Sequence, residues 1–281
     1  HVPAAYLSLM VYSIMAVASA VGLIWRMKMA HALAAAAAPI GASFTFLALA
    51  TGSIWGRPMW GTWWEWGDPR LTSELILLFL YFGYMALRNA LPERSKADRA
   101  AALLVIVGAV NVPIIHYSVE WWSSLHQGST LLSEGGPAMP ASMLVPLLTM
   151  IGAFTLYFAG VLCLRLRAEI VGRERNSRWL GEVLQGVRPS ALPRLIERAL
   201  WVVGAAALVA LVVVWPDNPG GRVTDPEAGA LFLTMSGYGG YVWPSFVLTV
   251  LVLIWNVVRP LAARADEAGK APAAVQERTL A

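Results

Sequence analysis

The sequence predicts an all-α protein, a polytopic bundle of seven transmembrane helices, and three observations carry that reading. The first is composition: 58% of the 281 residues are hydrophobic and 14% are charged, against about 25% charged in a soluble domain. The second is the recurrence of apolar runs of about 20 residues, the length that crosses a bilayer as a helix. The third is where the basic residues fall. With His1 placed outside, the inner segments hold 18 of the 21 Lys and Arg, and the outer loops hold Arg57, Arg70 and Arg222. That asymmetry fixes the orientation, because positive charge stays on the cytoplasmic side. The pI of about 9.4 therefore reflects topology. No basic stripe remains for a nucleic acid. A single cysteine, Cys163, excludes a disulfide framework and a Cys-rich metal site.

The spans follow in order. The first runs from Val2 to Trp25 and closes on Arg26 and Lys28. The second, His31 to Ile54, is Ala-rich and carries Pro39 and Gly41, which membrane helices tolerate. The third, Leu71 to Leu91, ends at Pro92 and a charged turn. The fourth, Ala100 to Tyr117, contains Asn111 and Pro113, and the fifth is Met143 to Leu164. A basic stretch, Arg165 to Arg194, has seven arginines and suits a helix on an anionic membrane face. The sixth span is Leu195 to Trp215 and the seventh Val242 to Val258, before a polar tail that is either helical or disordered.

Between the second and third spans lies the most unusual stretch, Trp55 to Glu74. It holds five of the thirteen tryptophans, Trp55, Trp60, Trp63, Trp64 and Trp66, interrupted by three glycines and two prolines. Glycine and proline deny this stretch a regular helix, so the indoles are expected on a bent or extended segment. An interfacial belt accounts for one or two tryptophans per helix end. Five in twelve residues instead describe a platform for a large planar ligand. A second outer loop, Val119 to Ala141, adds Trp121, Trp122 and His126 and contains no Lys or Arg.

The four histidines divide by position. His31 opens the second span on the cytoplasmic side, as a helix-end polar residue. His116, near the outer end of the fourth span, is expected to bond a neighbouring helix carbonyl. His126 and His1 both stand on the outer face with the tryptophan stretch. Two imidazoles from separate segments beside an aromatic platform describe a haem site, since iron takes an imidazole on each face. Arg57 or Arg70 would pair with a propionate. Without a Cys-x-x-Cys-His the haem is not covalently held, and ligands in exposed loops suit a haem that comes and goes. Glu65, Asp68 and Glu74, acidic residues at a wet interface, are expected to be solvated.

His1-Val2-Pro3-Ala4-Ala5, Trp55-Gly56-Arg57-Pro58-Met59-Trp60-Gly61-Thr62-Trp63-Trp64, Arg70-Leu71-Thr72-Ser73-Glu74, Ile115-His116-Tyr117-Ser118-Val119-Glu120-Trp121-Trp122 and Leu125-His126-Gln127-Gly128-Ser129-Thr130 resemble the CcmC family over residues 1–185. CcmC proteins handle haem in cytochrome c maturation and belong to a wider tryptophan-rich superfamily. The resemblance implies a haem b held non-covalently and transiently on the periplasmic side of the bacterial inner membrane. It implies His1 and His126 as the axial ligands of the iron. Trp55, Trp60, Trp63, Trp64, Trp66, Trp121 and Trp122 would form the platform, with Arg57, Asp68 and Arg70 at the polar edge. It further implies transfer to the haem chaperone CcmE, and work beside the ATPase CcmA, the membrane subunit CcmB and the single-span CcmD. No catalysis is expected of the chain itself, which has no Gly-x-x-x-x-Gly-Lys phosphate loop. The family has six spans, of which the first five here would be the second to sixth, so one is expected before His1.

Two departures stand out. The family motif closes Trp-x-Trp-Asp, whereas Gly67 here separates Trp66 from Asp68. The C-terminal third also exceeds a CcmC protein. Its Gly237-Tyr238-Gly239-Gly240-Tyr241-Val242-Trp243-Pro244 resembles CcmD, with the sixth span supplying the crossing that keeps such a fusion in its proper orientation. The expected division is 1–185 for the haem-handling part, 186–228 for a linker with the extra span, and 229–281 for the CcmD-like part. Three other readings compete. A cytochrome b-type electron carrier needs ligands buried mid-span, which only His116 approaches. A haem channel needs intramembrane polar groups, of which Asn111 and Glu74 are candidates. A scaffold would use the tryptophans only to dock partners.

Overall fold

The computed structural model describes residues 1–128, 139–174 and 239–279, with side chains to residue 263 in the last segment. The described chain is helical: α1 (Val2–Ile24), α2 (Lys28–Trp60), α3 (Pro69–Ala90), α4 (Arg94–Gly108), α5 (Asn111–Trp121), α6 (Ala141–Arg173) and α7 (Gly239–Thr279). No strand occurs among the described residues. Six stretches are long and apolar enough to cross a membrane, with α4 and α5 together making one of them, Arg94–Trp121. The span expected at 195–215 lies outside the described residues, as do residues 175–194 of the basic stretch. The chain forms two compact units. One comprises His1–Leu49 and Trp64–Ile170, the other Ala50–Trp63 and Val171–Ala281.

In the first unit, α3 packs against α4 and α5, and α1 packs against α4 and α5. Small residues bring the helices close. The Ala-rich start of α2 is buried from Ala34 through Ala38, where short side chains let backbones approach. A Cβ at Gly41 of α2 would overlap the Tyr81 ring of α3, and one at Gly108 of α4 would overlap the Tyr12 hydroxyl of α1. Phe44 meets Phe154 and Tyr157 of α6 at ring-centroid distances of 5.9 and 6.3 Å. At the far end of α3, Arg88 joins three helices, with Nε 3.2 Å from Asp98 Oδ1 and Nη2 2.8 Å from Glu169 Oε1. His31 is buried against Gly22 at the turn between α1 and α2, more enclosed than a residue at a helix-end interface.

Three elements differ from the sequence expectation. The tryptophan stretch is less irregular than its glycines and prolines suggest, because α2 continues to Trp60 and α3 starts at Pro69. Pro58 sits in the last turn of α2, where a missing N–H removes one bond instead of breaking a helix. Gly61 then ends it with φ at +76°, a left-handed value that only glycine adopts freely. Its N–H donates to the Arg57 carbonyl at 3.0 Å, and the Arg57 guanidinium returns a bond to the Gly61 carbonyl. The fourth span breaks at Ala109–Val110, four residues before Pro113, whose ring would collide with the carbonyl of Ala109 in a continuous helix. Finally, the first arginines of the basic stretch extend α6 to Arg173; the C-terminal tail takes the helical one of its two expected forms, to Thr279.

Candidate functional site

The irregular segment 61–68 ends in a turn that the inserted glycine occupies. Gly67 N–H donates to Glu65 Oε1 at 3.1 Å and Asp68 N–H to the Glu65 carbonyl at 3.2 Å. Asp68 then caps α3. Its φ and ψ are −77° and 115°, and Oδ1 accepts from the Arg70 and Leu71 amides, each at 3.0 Å. Pro69 at the first helical position has no N–H to satisfy, which makes Asp-Pro an effective helix start. Thr72 closes the turn by donating its hydroxyl to the Trp66 carbonyl at 3.0 Å.

The second oxygen of Asp68 holds another part of the chain. Oδ2 accepts from the Ser124 hydroxyl at 2.7 Å and from the Leu125 amide at 2.8 Å. Ser124 Oγ in turn accepts the His126 amide at 3.1 Å. The His126 ring follows, with Nδ1 3.4 Å from Asp68 Oδ1 and 3.3 Å from Ser124 Oγ. A carboxylate beside Nδ1 favours the tautomer with the proton there. Asp68 itself is only 2% exposed. It is therefore not solvated as expected, and both of its oxygens are occupied within the chain.

Burial and charge agree with this arrangement. Burial alone would raise the Asp68 carboxyl. Hydrogen bonds from Ser124, Leu71 and Leu125, with the nearby His126, outweigh burial and hold it below its ordinary value. His126 moves down as well, chiefly through burial, with Arg70 adding to the effect and Asp68 opposing it. A neutral imidazole is the form that binds a metal.

The helices place His1 at the same end. The Ser8 hydroxyl of α1 lies 2.6 Å from Glu74 Oε1 of α3, and further along both helices Tyr12 and Tyr81 meet edge to face at 5.1 Å. The two helices thus run in the same direction. Ser8 is seven residues from His1 and Glu74 is six from Asp68. At about 1.5 Å per residue, His1 and Asp68 stand at nearly the same height. His1 begins α1 in an exposed position, its carbonyl accepting from Ala5 at 3.0 Å. His116 is exposed on α5, its ring edge-on to Tyr117 at 4.7 Å, with no helix carbonyl as its described partner. Among the described residues no group of three or more His, Cys, Asp or Glu could hold a metal ion.

The tryptophans divide between the two units. In the first, Trp64 and Trp66 meet at 5.5 Å, Trp66 being 73% exposed. Trp121 stacks on Tyr117 at 5.4 Å and 21° and meets Trp122 at 5.7 Å. Arg70 belongs to this unit. In the second, Trp55 and Trp60 meet at 5.3 Å, Arg57 is engaged with the Gly61 carbonyl, and Trp63 lies 6.3 Å from Tyr241 of α7. Ser124 and Ser8 escaped the sequence reading. Each matters through a contact with a residue more than fifty positions away, and no local pattern reports such a contact.

The fold and this end of it define a multi-pass helical membrane protein that presents an oriented imidazole among exposed indoles. Comparison with known proteins agrees. The family model described as heme exporter protein C, CcmC, matches residues 1–181, and that of heme exporter protein D, CcmD, matches residues 236–266. The heme exporter protein C of Escherichia coli K12 is 54% identical over 185 residues, covering 66% of this chain and 74% of the relative. That of Bradyrhizobium diazoefficiens is 54% identical over 177 residues, covering 63% and 67%. The Haemophilus influenzae protein is 46% identical over 188 residues, covering 67% and 76%. The chain belongs to the CcmC family, and it carries a CcmD match in the same polypeptide.

Proposed function

We propose that this protein binds haem b non-covalently at the periplasmic face of the bacterial inner membrane and delivers it to the haem chaperone CcmE for cytochrome c maturation. Family membership supports haem handling, and the observation that carries the site is the Asp68–Ser124–His126 network. It holds Nδ1 of His126 against Asp68 and Ser124 and so fixes the ring. His1, at the same height on α1, supplies the second axial ligand. The donor set suits haem iron, which needs two imidazoles above and below a porphyrin plane and no further protein ligand. Trp64, Trp66, Trp121 and Trp122 of the first unit supply apolar area, and Trp55, Trp60 and Trp63 are the other platform candidates of the family motif. Arg70, whose charge reaches His126, faces a propionate, with Arg57 as the other cationic candidate. Asp68 is given a different task from the polar edge: it orients His126.

The chain acts as a haem-binding subunit among other Ccm proteins, with CcmA supplying ATP hydrolysis and CcmB a further membrane subunit. The part resembling CcmD is in this chain, within the division 1–185, 186–228 and 229–281. The test is the visible spectrum and haem content of the full-length protein beside His1→Ala and His126→Ala, with and without imidazole. Loss of haem in both variants and its recovery with imidazole is the expected result. Retention in both, with loss in His116→Ala, would move the iron into a span and favour the electron-carrier reading.

A further inference from the structure

About two turns below the proposed haem site, α1, α3 and α5 bury a polar cluster that haem ligation does not use. Glu74 is 7% exposed, and its Oε1 lies 2.6 Å from Ser8 Oγ. Ser8 Oγ is also 2.8 Å from the Ala5 carbonyl. Tyr81 donates its hydroxyl to the Ser8 carbonyl at 2.8 Å, and Asn111 of α5 donates its amide to the Ser73 carbonyl at 2.8 Å. The fully buried Tyr12 lies beside them, its hydroxyl without a hydrogen-bond partner among the described residues.

Counting hydrogens decides the state of Glu74. A serine hydroxyl has one hydrogen, yet Ser8 Oγ approaches two oxygens at bonding distance. The Ala5 carbonyl can only accept. If Ser8 donates to Ala5, the hydrogen between Ser8 and Glu74 comes from Glu74. If Ser8 donates instead to an ionised Glu74, the Ala5 contact holds no hydrogen and a buried carboxylate keeps a single neutral donor. That is an expensive arrangement for an ion inside a membrane bundle. Tyr81 cannot help, since its hydrogen goes to the Ser8 carbonyl. Of the groups facing Glu74, Arg70 on α3 favours the ion from a distance and makes no ion pair with it among the described residues. Tyr12 and Tyr81 are neutral, and α5 offers the neutral Asn111. Only the acid closes every bond, Glu74 to Ser8 and Ser8 to Ala5, and 2.6 Å is a normal O–H···O length for a carboxylic acid donor.

We propose that Glu74 is held as a neutral acid and that its bond to Ser8 is a positioning contact that sets His1 against His126. The contact joins α1, which carries His1, to α3, whose first residue follows the Asp68 that holds the His126 loop. It rests on the reading of those two histidines as ligands. Loss of the proton turns the Ser8 hydroxyl away from Ala5 and puts a charge between α1 and α3, so the separation of the two imidazoles depends on that proton.

The experiment uses full-length haem-loaded protein with Glu74→Gln, Glu74→Asp, Glu74→Ala and Ser8→Ala. Glutamine is neutral and keeps a donor toward Ser8, so Glu74→Gln is expected to retain the low-spin bis-imidazole spectrum. The shorter aspartate, the alanine and Ser8→Ala are expected to become part high-spin and to lose haem several-fold faster. The infrared difference between wild type and Glu74→Gln should contain the C=O band of a protonated carboxyl at neutral pH. Carboxylate bands in its place would overturn the neutral acid. An unchanged spectrum in both Glu74→Ala and Ser8→Ala would overturn the positioning role, and Ser8→Ala decides if the Glu74 variants do not accumulate. Failure of the ligand reading shows separately, as a low-spin spectrum that survives His126→Ala.

Discussion

Asp68 and His126 face each other at 3.4 Å, Oδ1 to Nδ1, although they belong to different loops. The same carboxylate caps a membrane helix and fixes the backbone of the loop that carries the imidazole. Helix start and imidazole placement therefore depend on one side chain, and substitution there should disturb both.

Asp68→Ala is expected to lose the cap, about 1 kcal/mol, and the part-buried bonds from the Ser124 hydroxyl and Leu125 amide, about 1 kcal/mol each. The haem spectrum should shift from low-spin toward high-spin, while haem is partly retained through His1. Thermal unfolding in detergent and the visible spectrum check the two effects separately. A low-spin spectrum indistinguishable from wild type would show that Asp68 does not orient the ring.

Acid should release the loop before it melts the bundle. Both Asp68 and His126 lie below their ordinary values in the folded protein, so over that window the unfolded loop binds more protons than the folded one. Stability is then complete above the ordinary imidazole value. It is lost as pH falls, first through His126 and then, in the carboxylate range, through Asp68. Tryptophan fluorescence of the haem-free protein against pH should report this loss, and Asp68→Asn should remove its lower part.

Gly41→Ala tests the packing that holds Tyr81 against Ser8. The added Cβ overlaps the Tyr81 ring, and overpacking of this kind costs about 1–3 kcal/mol. Gly160→Ala in α6, which meets nothing within 4 Å, should be neutral or stabilising by about 0.5–1 kcal/mol through helix propensity. Thermal midpoints of the two variants measure the contrast. Equal midpoints would contradict the close approach of α2 and α3.

Arg88→Ala leaves Asp98 and Glu169 without their common cation. The pairs are partly enclosed, so the loss falls between that of surface and buried ion pairs, at about 2 kcal/mol. Because Arg88 is at the opposite end of α3 from Asp68, the haem spectrum should stay unchanged while the melting temperature falls. A changed spectrum would show that the two ends of the helix are coupled.

The helices were legible in the sequence because a span needs about 20 apolar residues wherever it occurs. Asp68 reads as a solvated residue at the polar edge; the Asp-Pro helix-start signal was there to find, but nothing local links Asp68 to Ser124 and Leu125. The irregularity of the tryptophan stretch was overestimated because a proline in a last turn and a glycine just beyond it look like a loop when read locally. Glu74 read as a wet helix-end residue, and its burial came from Ser8 and Tyr81, which no spacing rule links to it. The conclusion that fails most readily from sequence is therefore which polar groups meet.

The dual use of Asp68 also has a consequence for biosynthesis. Asp68 and the first turn of α3 are synthesised well before Ser124 and His126 leave the ribosome. A chain interrupted within α4 or α5 has its capped helix but not the latched imidazole. Haem, a reactive cargo, would find only one ligand on such a fragment. On the proposed reading of His1 and His126, capture is reserved for molecules that have finished building both halves of the clasp, and a ribosome-stalled chain ending at Trp121 should take up no low-spin haem.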